Sequence, residues 1–164
     1  MIKRRIKPKK GQESVWDYPR PPRLESCSLN IKIKFNNELI ANTRGAKRVL
    51  ETSHPPVYYI PPEDIKMQFL IPVQGKSWCE WKGIASYYSI KVKDEIAEKA
   101  AWYYPNPTAP FKSLRNYVAF YAGPMDACYV NGEKVTPQAG GFYGGWITKT
   151  IVGPFKGDPG TMFW

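Results

Sequence analysis

Apolar and polar residues alternate strictly over residues 29–35, LNIKIKF, which is typical of a strand with one buried face. Asn36-Asn37 follows as a turn signal, because asparagine tolerates left-handed backbone angles. Residues 38–41 are therefore expected to return as the partner strand of a hairpin.

A second hairpin is predicted where Asn131-Gly132 separates residues 127–130 from residues 133–135, because Asn-Gly readily supplies the two positive φ angles of a type I′ turn. Further short runs are rich in β-branched and aromatic residues and lie between proline or glycine breaks. These runs predict strands at residues 57–60, 84–92 and 117–121.

Several segments give a weaker signal. Residues 43–52 suit a short helix or a further strand, and residues 94–101 have helical propensity between strand-like neighbours. Residues 66–71 and 77–80 are expected to pair around a turn at Gly75. Residues 111–116 suit one helical turn.

The sum of these patterns predicts a mainly β protein, because short strands with turn signals roughly every ten residues indicate a sandwich or barrel-like domain. A length of 164 residues with 43% hydrophobic residues suits a single domain. We divide it into a basic flexible tail (residues 1–12), an extended proline-rich arm (13–28), a core (29–138) and an irregular Gly- and aromatic-rich C-terminal wrap (139–164). No apolar run is long enough for a membrane-spanning helix.

The formal net charge of +10 is concentrated at the start of the chain, where residues 1–10 contain six Lys or Arg and no acid. Such a segment can contact nucleic acid weakly and without sequence preference through phosphate groups. It can equally be a solvated mobile arm that aids solubility.

The three cysteines, Cys27, Cys79 and Cys128, form no C-x-x-C pair. Their odd number argues against a disulfide framework and favours a reducing compartment, so a cytoplasmic location is expected. Together with His54, the only histidine, they could form a Cys₃His zinc set. Because structural zinc ligands usually come in close pairs, we expect no metal and no cofactor.

Several segments resemble one family, the domain of unknown function 427, in order over residues 13–161. They are ESVWDYPRPP (13–22), SHPPVYY (53–59), CEWKG (79–83), ASYY (85–88), AWYYP (101–105), DACYV (126–130), residues 140–148 and IVGPFKG (151–157).

The resemblance implies a β-tent fold, in which curved antiparallel sheets meet at an angle, as in the ligand-binding domain of cereblon and in methionine sulfoxide reductase B. Several members of that group hold zinc through two C-x-x-C knuckles, which this sequence lacks. In the cereblon-like branch an aromatic cage holds a small cyclic ligand. A nucleotidyltransferase label has also been attached to the family, but the sequence shows neither a phosphate-cradling Gly-rich loop nor a D-x-D pair.

The candidate ligand-binding residues are rings and polar groups from these segments. Lys82 lies beside tryptophans and before Gly83, whose backbone can approach another group closely. His54 precedes two prolines that fix its direction. The full set is His54, Tyr58, Trp81, Lys82, Tyr87, Trp102 and Tyr104. Arg48 and Glu51 would form an ion pair at the pocket edge or a surface pair if their segment were helical.

Three functions remain open from the sequence. The first is a module that binds a small molecule or a modified peptide end in an aromatic-lined pocket. The second is an enzyme of unknown reaction that uses His54 or Cys79, with Lys82 stabilising negative charge. The third is nucleic-acid binding through the basic tail.

Overall fold

Fifteen short strands and four 3-10 turns follow one another in residues 4–164, the part of the chain that the computed structural model describes; residues 1–3 of the predicted basic tail lie outside it. The strands are β1 (Glu13–Ser14), β2 (Arg23–Cys27), β3 (Ile31–Phe35), β4 (Glu38–Thr43), β5 (Ala46–Leu50), β6 (Val57–Tyr59), β7 (Leu70–Cys79), β8 (Gly83–Val92), β9 (Glu95–Tyr103), β10 (Val118–Phe120), β11 (Ala127–Val130), β12 (Glu133–Lys134), β13 (Thr136–Pro137), β14 (Trp146–Ile147) and β15 (Ile151–Val152). The turns are Val15–Asp17, Pro62–Asp64, Met67–Phe69 and Ala109–Leu114. The predicted single mainly β domain of antiparallel sheets with short helical turns is confirmed.

Both hairpins predicted from asparagine turns are present. In β3 buried and exposed residues alternate, and β4 pairs with it after Asn36 and Asn37, which have φ angles of 47° and 66°. Asn131 and Gly132 join β11 to β12 with φ angles of 50° and 85°. These positive φ angles match the mirror-image turns that suit the twist of paired strands.

Eleven of the strands form two layers that pack around the main core. One layer is the four-stranded sheet β12-β11-β3-β4. In the other, the three-stranded sheet β2-β5-β6 meets the four-stranded sheet β10-β9-β8-β7, because Ile60 and Val118 exchange backbone hydrogen bonds of 2.8 and 2.9 Å. Among the described residues no helix is long and apolar enough to cross a membrane.

The alternation of side chains along each strand divides the apolar residues between two clusters. Tyr58 and Ala101 belong to the main core between the layers, together with Ile33 and Cys128. Their chain neighbours Tyr59 and Trp102 belong to a second cluster on the opposite face of the same sheet, because successive side chains of a strand point to opposite faces. That second face carries the candidate site.

Three local expectations are resolved or corrected. Gly75 does not form a turn: β7 runs through it with a register shift against β8, so residues 66–71 and 77–80 do not pair with each other. Residues 43–52 contain no helix: Thr43 ends β4, and Ala46–Leu50 form β5. Residues 94–101 are mostly within strand β9, because its pairing with β8 and β10 outweighs the helical propensity of the segment.

The arm that precedes β2 is attached to the far end of the chain and to β5. Strand β1 pairs in parallel with β15. Arg48 donates hydrogen bonds to Glu13 at 2.6 Å and to Glu25 at 2.5 Å. The suggested pair of Arg48 with Glu51 is wrong, since Glu51 pairs with Arg20 at 3.2 Å instead.

Candidate functional site

A cavity of about 530 Å³ lies on the face of the sheet that bears the second apolar cluster. We call it the aromatic cavity. Six of the seven candidate residues line it: His54, Trp81, Lys82, Tyr87, Trp102 and Tyr104. The structure therefore brings together residues from four separate segments of the sequence.

Tyr58 is the one candidate that lies outside the cavity. Its ring stacks on Trp146 in the main core, with ring centroids 5.3 Å apart. Its neighbour Tyr59 lines the cavity in its place and is fully buried. The sequence places the two tyrosines on opposite faces of β6 but does not say which face is the cavity side.

Lys82 lies in the short connection between β7 and β8, where backbone contacts hold it in place. The N–H of Thr108 donates to the carbonyl oxygen of Lys82 at 3.0 Å, and the Thr108 hydroxyl donates to that of Trp81 at 2.6 Å. Gly83 adopts a φ of 104°, a left-handed conformation that favours glycine. The connection is thereby tied to the loop that follows β9.

The ammonium of Lys82 lies near an aromatic ring and outside salt-bridge distance of any described carboxylate. Its Nζ is 5.7 Å from the centroid of the Tyr104 ring, and among residues 4–164 it forms no ion pair with a carboxylate. Burial works to lower the pKa of Lys82, but the influence of Tyr59 and Cys79, and of the more distant Glu51, outweighs it and leaves that pKa above its ordinary value. Lys82 is therefore a cation at neutral pH that Glu51 influences from a distance but that no described carboxylate pairs with directly.

Aromatic rings form much of the remaining lining. The Nε1–H of Trp102 donates to the hydroxyl of Tyr59 at 3.4 Å, and the Trp102 ring lies 4.6 Å from that of Tyr121. Burial raises the pKa values of Tyr59, Tyr104 and Tyr121, so all three keep their phenolic protons. The lining thus offers flat apolar surface with hydroxyl groups that can donate or accept hydrogen bonds.

His54 is held in one tautomer by Gln138. The Gln138 side-chain oxygen accepts from the N–H of Gly145 at 3.1 Å, so its NH₂ group is the part that faces Nδ1 of His54, at 3.2 Å. Nδ1 therefore accepts, and the proton sits on Nε2, which lies 3.6 Å from a carboxylate oxygen of Glu51.

Two features make His54 a weak proton acceptor. Burial, together with the nearby cations Lys156 and Arg20, lowers its pKa to about 3, so the contact with Glu51 is not an ion pair at neutral pH. A side chain that weakly basic, with its acceptor nitrogen already hydrogen-bonded, takes up a proton poorly. The contact with Gln138 ties the loop of His54 to the segment that contains Gln138.

Other charges also line the cavity. Lys156 contributes a second cation, whose Nζ lies 5.3 Å from the Tyr143 ring and donates to the Trp164 carbonyl oxygen at 3.3 Å. Glu51 and the exposed Glu80 contribute carboxylates, but Glu51 is engaged by Arg20. Lys82 is thus the cation of this lining that has neither a carboxylate nor a carbonyl partner among the described residues.

Cys79 lines the same cavity and is half-buried, and its thiol contributes to raising the pKa of Lys82. Cys27 and Cys128 are buried in the main core, away from Cys79 and His54. In the described part of the chain, no three His, Cys, Asp or Glu residues are grouped as a metal site would require.

Sequence reasoning missed the residues that cover the cavity from the C-terminal part of the chain. They are Gln138, Phe142, Tyr143, Gly144 and Lys156. The signal that could have pointed to them is the run of glycines from Gly140 to Gly145: a Cβ on Gly144 would overlap the six-membered ring of Trp102. Only glycine permits so close an approach of backbone to ring.

Comparison with protein families identifies the family of this chain. The model of a family described as a domain of unknown function (DUF427) matches residues 23–131, which is more than half of the chain. No curated protein matches the sequence.

Proposed function

The chain belongs to the DUF427 family, whose description assigns no activity, and we propose that it is a binding protein for a small anionic molecule that carries a flat ring. The observation that supports this function is the Lys82 ammonium, which lines an aromatic cavity and forms no salt bridge with Glu51 or Glu80, the two carboxylates of the same lining. A cation held beside apolar surface attracts an anion strongly, because less water screens the pair.

The rings favour a flat ligand over a bare ion. Trp102 and Tyr104 are buried against the sheet, whereas Trp78 and Phe142 are exposed at the edge of the cavity. A ring that entered between them would bury apolar surface on both of its faces. Neutral tyrosine hydroxyls would then fix its orientation.

Binding is favoured over catalysis because one of the two proposed catalytic residues does not fit. His54 has a pKa of about 3 and its Nδ1 is engaged by Gln138, so it is not available as a base. Cys79 remains a candidate nucleophile in the same cavity, and its reactivity is a separate question.

The experiment uses 2-naphthoate, which combines a flat ring with one carboxylate, and isothermal titration calorimetry with the full-length protein. We expect binding to wild type and at least a tenfold loss in Lys82→Gln, since a hydrogen bond to a charged group contributes about 1.5–3 kcal/mol. The neutral analogue 2-naphthalenemethanol should bind both proteins alike.

Lys47→Gln is the matched control. Lys47 also lies over an aromatic ring, that of Tyr117 at 5.1 Å, but outside the cavity. If a folded Lys82→Gln variant bound 2-naphthoate as wild type does, or if wild type did not bind it at all, the proposed function would be wrong.

A further inference from the structure

A second cavity, of about 700 Å³, adjoins the aromatic cavity. We call it the adjoining cavity. The two have five lining residues in common: Tyr87, Tyr121, Gln138, Tyr143 and Gly144. The two cavities are therefore neighbours, with these five residues at their common boundary.

Two irregularities in neighbouring strands bring lysines to the adjoining cavity. The register of β7 against β8 shifts between Val73 and Lys76, and that of β8 against β9 shifts between Tyr88 and Ile90. Lys99, in β9, has a left-handed φ of 48°. Such bulges redirect side chains, here those of Lys76 and Lys99, which both line the cavity.

Gly75 makes room for the ammonium of Lys99. It has a φ of 111°, and a Cβ at this position would lie 2.9 Å from Nζ of Lys99. Lys76 lies beside it, with its Nζ donating to the hydroxyl of Ser86 at 3.2 Å. Lys99 thus reaches the cavity across Gly75, which carries no side chain, and Lys76 follows Gly75 in β7.

The balance of charge in the adjoining cavity is positive. Glu98 lines it as well, but within residues 4–164 neither Lys76 nor Lys99 forms an ion pair with any carboxylate. Both lysines are exposed, so they are accessible to a ligand, and their attraction for an anion weakens with salt.

We propose that Lys76 and Lys99 form a second anion subsite, and that the ligand is an elongated molecule with an acidic group at each end of a flat ring system. One acidic group contacts Lys82, the ring lies against the shared tyrosines, and the second acidic group contacts Lys76 and Lys99. This inference rests on the proposed function, because it extends the ligand of the aromatic cavity.

The test uses derivatives of 2-naphthoate in which an alkyl chain of increasing length ends in a phosphonate, each matched with a derivative of the same length that ends in a hydroxyl. At one chain length the phosphonate should bind about five- to tenfold more tightly than its alcohol at low ionic strength. Lys76→Gln/Lys99→Gln should abolish this gain while 2-naphthoate itself binds unchanged. Lys93→Gln is the control, since Lys93 also has a positive φ, 54°, but lines neither cavity.

The outcomes separate the two proposals. If 2-naphthoate binds through Lys82 but no phosphonate exceeds its alcohol, or if the gain survives in the double variant, the second subsite is wrong and the proposed function stands. If 2-naphthoate does not bind, both are wrong.

Discussion

The side-chain NH₂ of Gln138 donates to Nδ1 of His54 across 3.2 Å, and this contact joins two segments that lie 84 positions apart in the sequence. The same NH₂ group also donates to the Lys156 carbonyl oxygen at 2.7 Å. One amide therefore ties the segment that covers the aromatic cavity to the rigid loop of His54. The loop is rigid because Pro55 and Pro56 follow the histidine.

The burial of neutral His54 predicts that the protein loses stability in mild acid. The unfolded chain takes up a proton near pH 6.5, whereas the folded protein does so only at about pH 3, so the free energy of unfolding falls as the pH drops below 6.5. Between pH 7 and pH 5 the loss should be about 1–2 kcal/mol in urea denaturation. His54 is the only histidine, so no other side chain of this type contributes.

His54→Asn is the matched variant for this test, because its side-chain oxygen can accept from Gln138 as Nδ1 does. The variant should lose less stability than wild type between pH 7 and pH 5. Equal pH dependence in the two proteins would contradict the burial of a neutral imidazole.

The contact of Arg48 with two acids predicts a specific need for arginine at this position. Arg48 is mostly buried and donates to Glu13 through two nitrogens, at 2.6 and 3.1 Å, and to Glu25. The single ammonium of a lysine could not reproduce this fork, so Arg48→Lys should lower the free energy of unfolding by about 1–3 kcal/mol. It should also speed proteolysis of the arm before β2.

Arg23→Lys is the control for this prediction. Arg23 belongs to β2, which pairs with β5, but it is exposed and lies 3.6 Å from Glu25. Its replacement should change the free energy of unfolding by no more than about 0.5 kcal/mol. A similar loss in both variants would mean that the fork of Arg48 is not what holds the arm.

The positions of the cysteines predict selective alkylation under native conditions. Cys79 is half-buried in the aromatic cavity, whereas Cys27 and Cys128 are buried in the main core. Iodoacetamide should therefore label Cys79 first and the other two only after unfolding, as read by peptide mass spectrometry. Saturating 2-naphthoate should slow the labelling of Cys79. An unchanged labelling rate would mean that 2-naphthoate binds outside the aromatic cavity.

The close approach of Gly144 to Trp102 predicts that an added methyl group disrupts the cavity. Because a Cβ at this position would overlap the ring, Gly144→Ala must displace either the indole or the covering segment. We expect weaker binding of 2-naphthoate and a loss of about 1–3 kcal/mol in the free energy of unfolding. Gly123→Ala is the control, because a Cβ there meets nothing within 4 Å, and it should change neither the binding of 2-naphthoate nor the free energy of unfolding. Unaltered binding by Gly144→Ala would show that the segment at Gly144 does not cover the aromatic cavity.

Local chemistry explains what could be predicted from the sequence. The hairpins at Asn36-Asn37 and Asn131-Gly132 follow from neighbouring residues alone, since asparagine and glycine accept the φ angles that tight turns need. The candidates Lys82 and Trp102 were found because both belong to distinctive aromatic segments. These features need no knowledge of distant partners.

The features that were missed depend on distant pairing. Gly75 resembles a turn in sequence, but its position opposite β8 makes it part of a bulge. Arg48 donates hydrogen bonds to acids in the arm and in β2, and Gln138 donates one to His54 in a distant loop. Strand register decides each of these contacts, and a sequence pattern with a period of two residues does not encode it.

The covering segment and the parallel pairing of β1 with β15 also determine when the site can form during synthesis. The indole of Trp16 donates to the carbonyl oxygen of Pro154, 138 positions later, and Gln138 and Lys156 both line the aromatic cavity. A nascent chain can form the early hairpins as they leave the ribosome, but the site stays incomplete until residues 138–156 have been translated. Ligand capture should consequently be a property of the finished polypeptide, so that a translation product truncated before Gln138 retains sheet-forming segments but does not compete for the ligand.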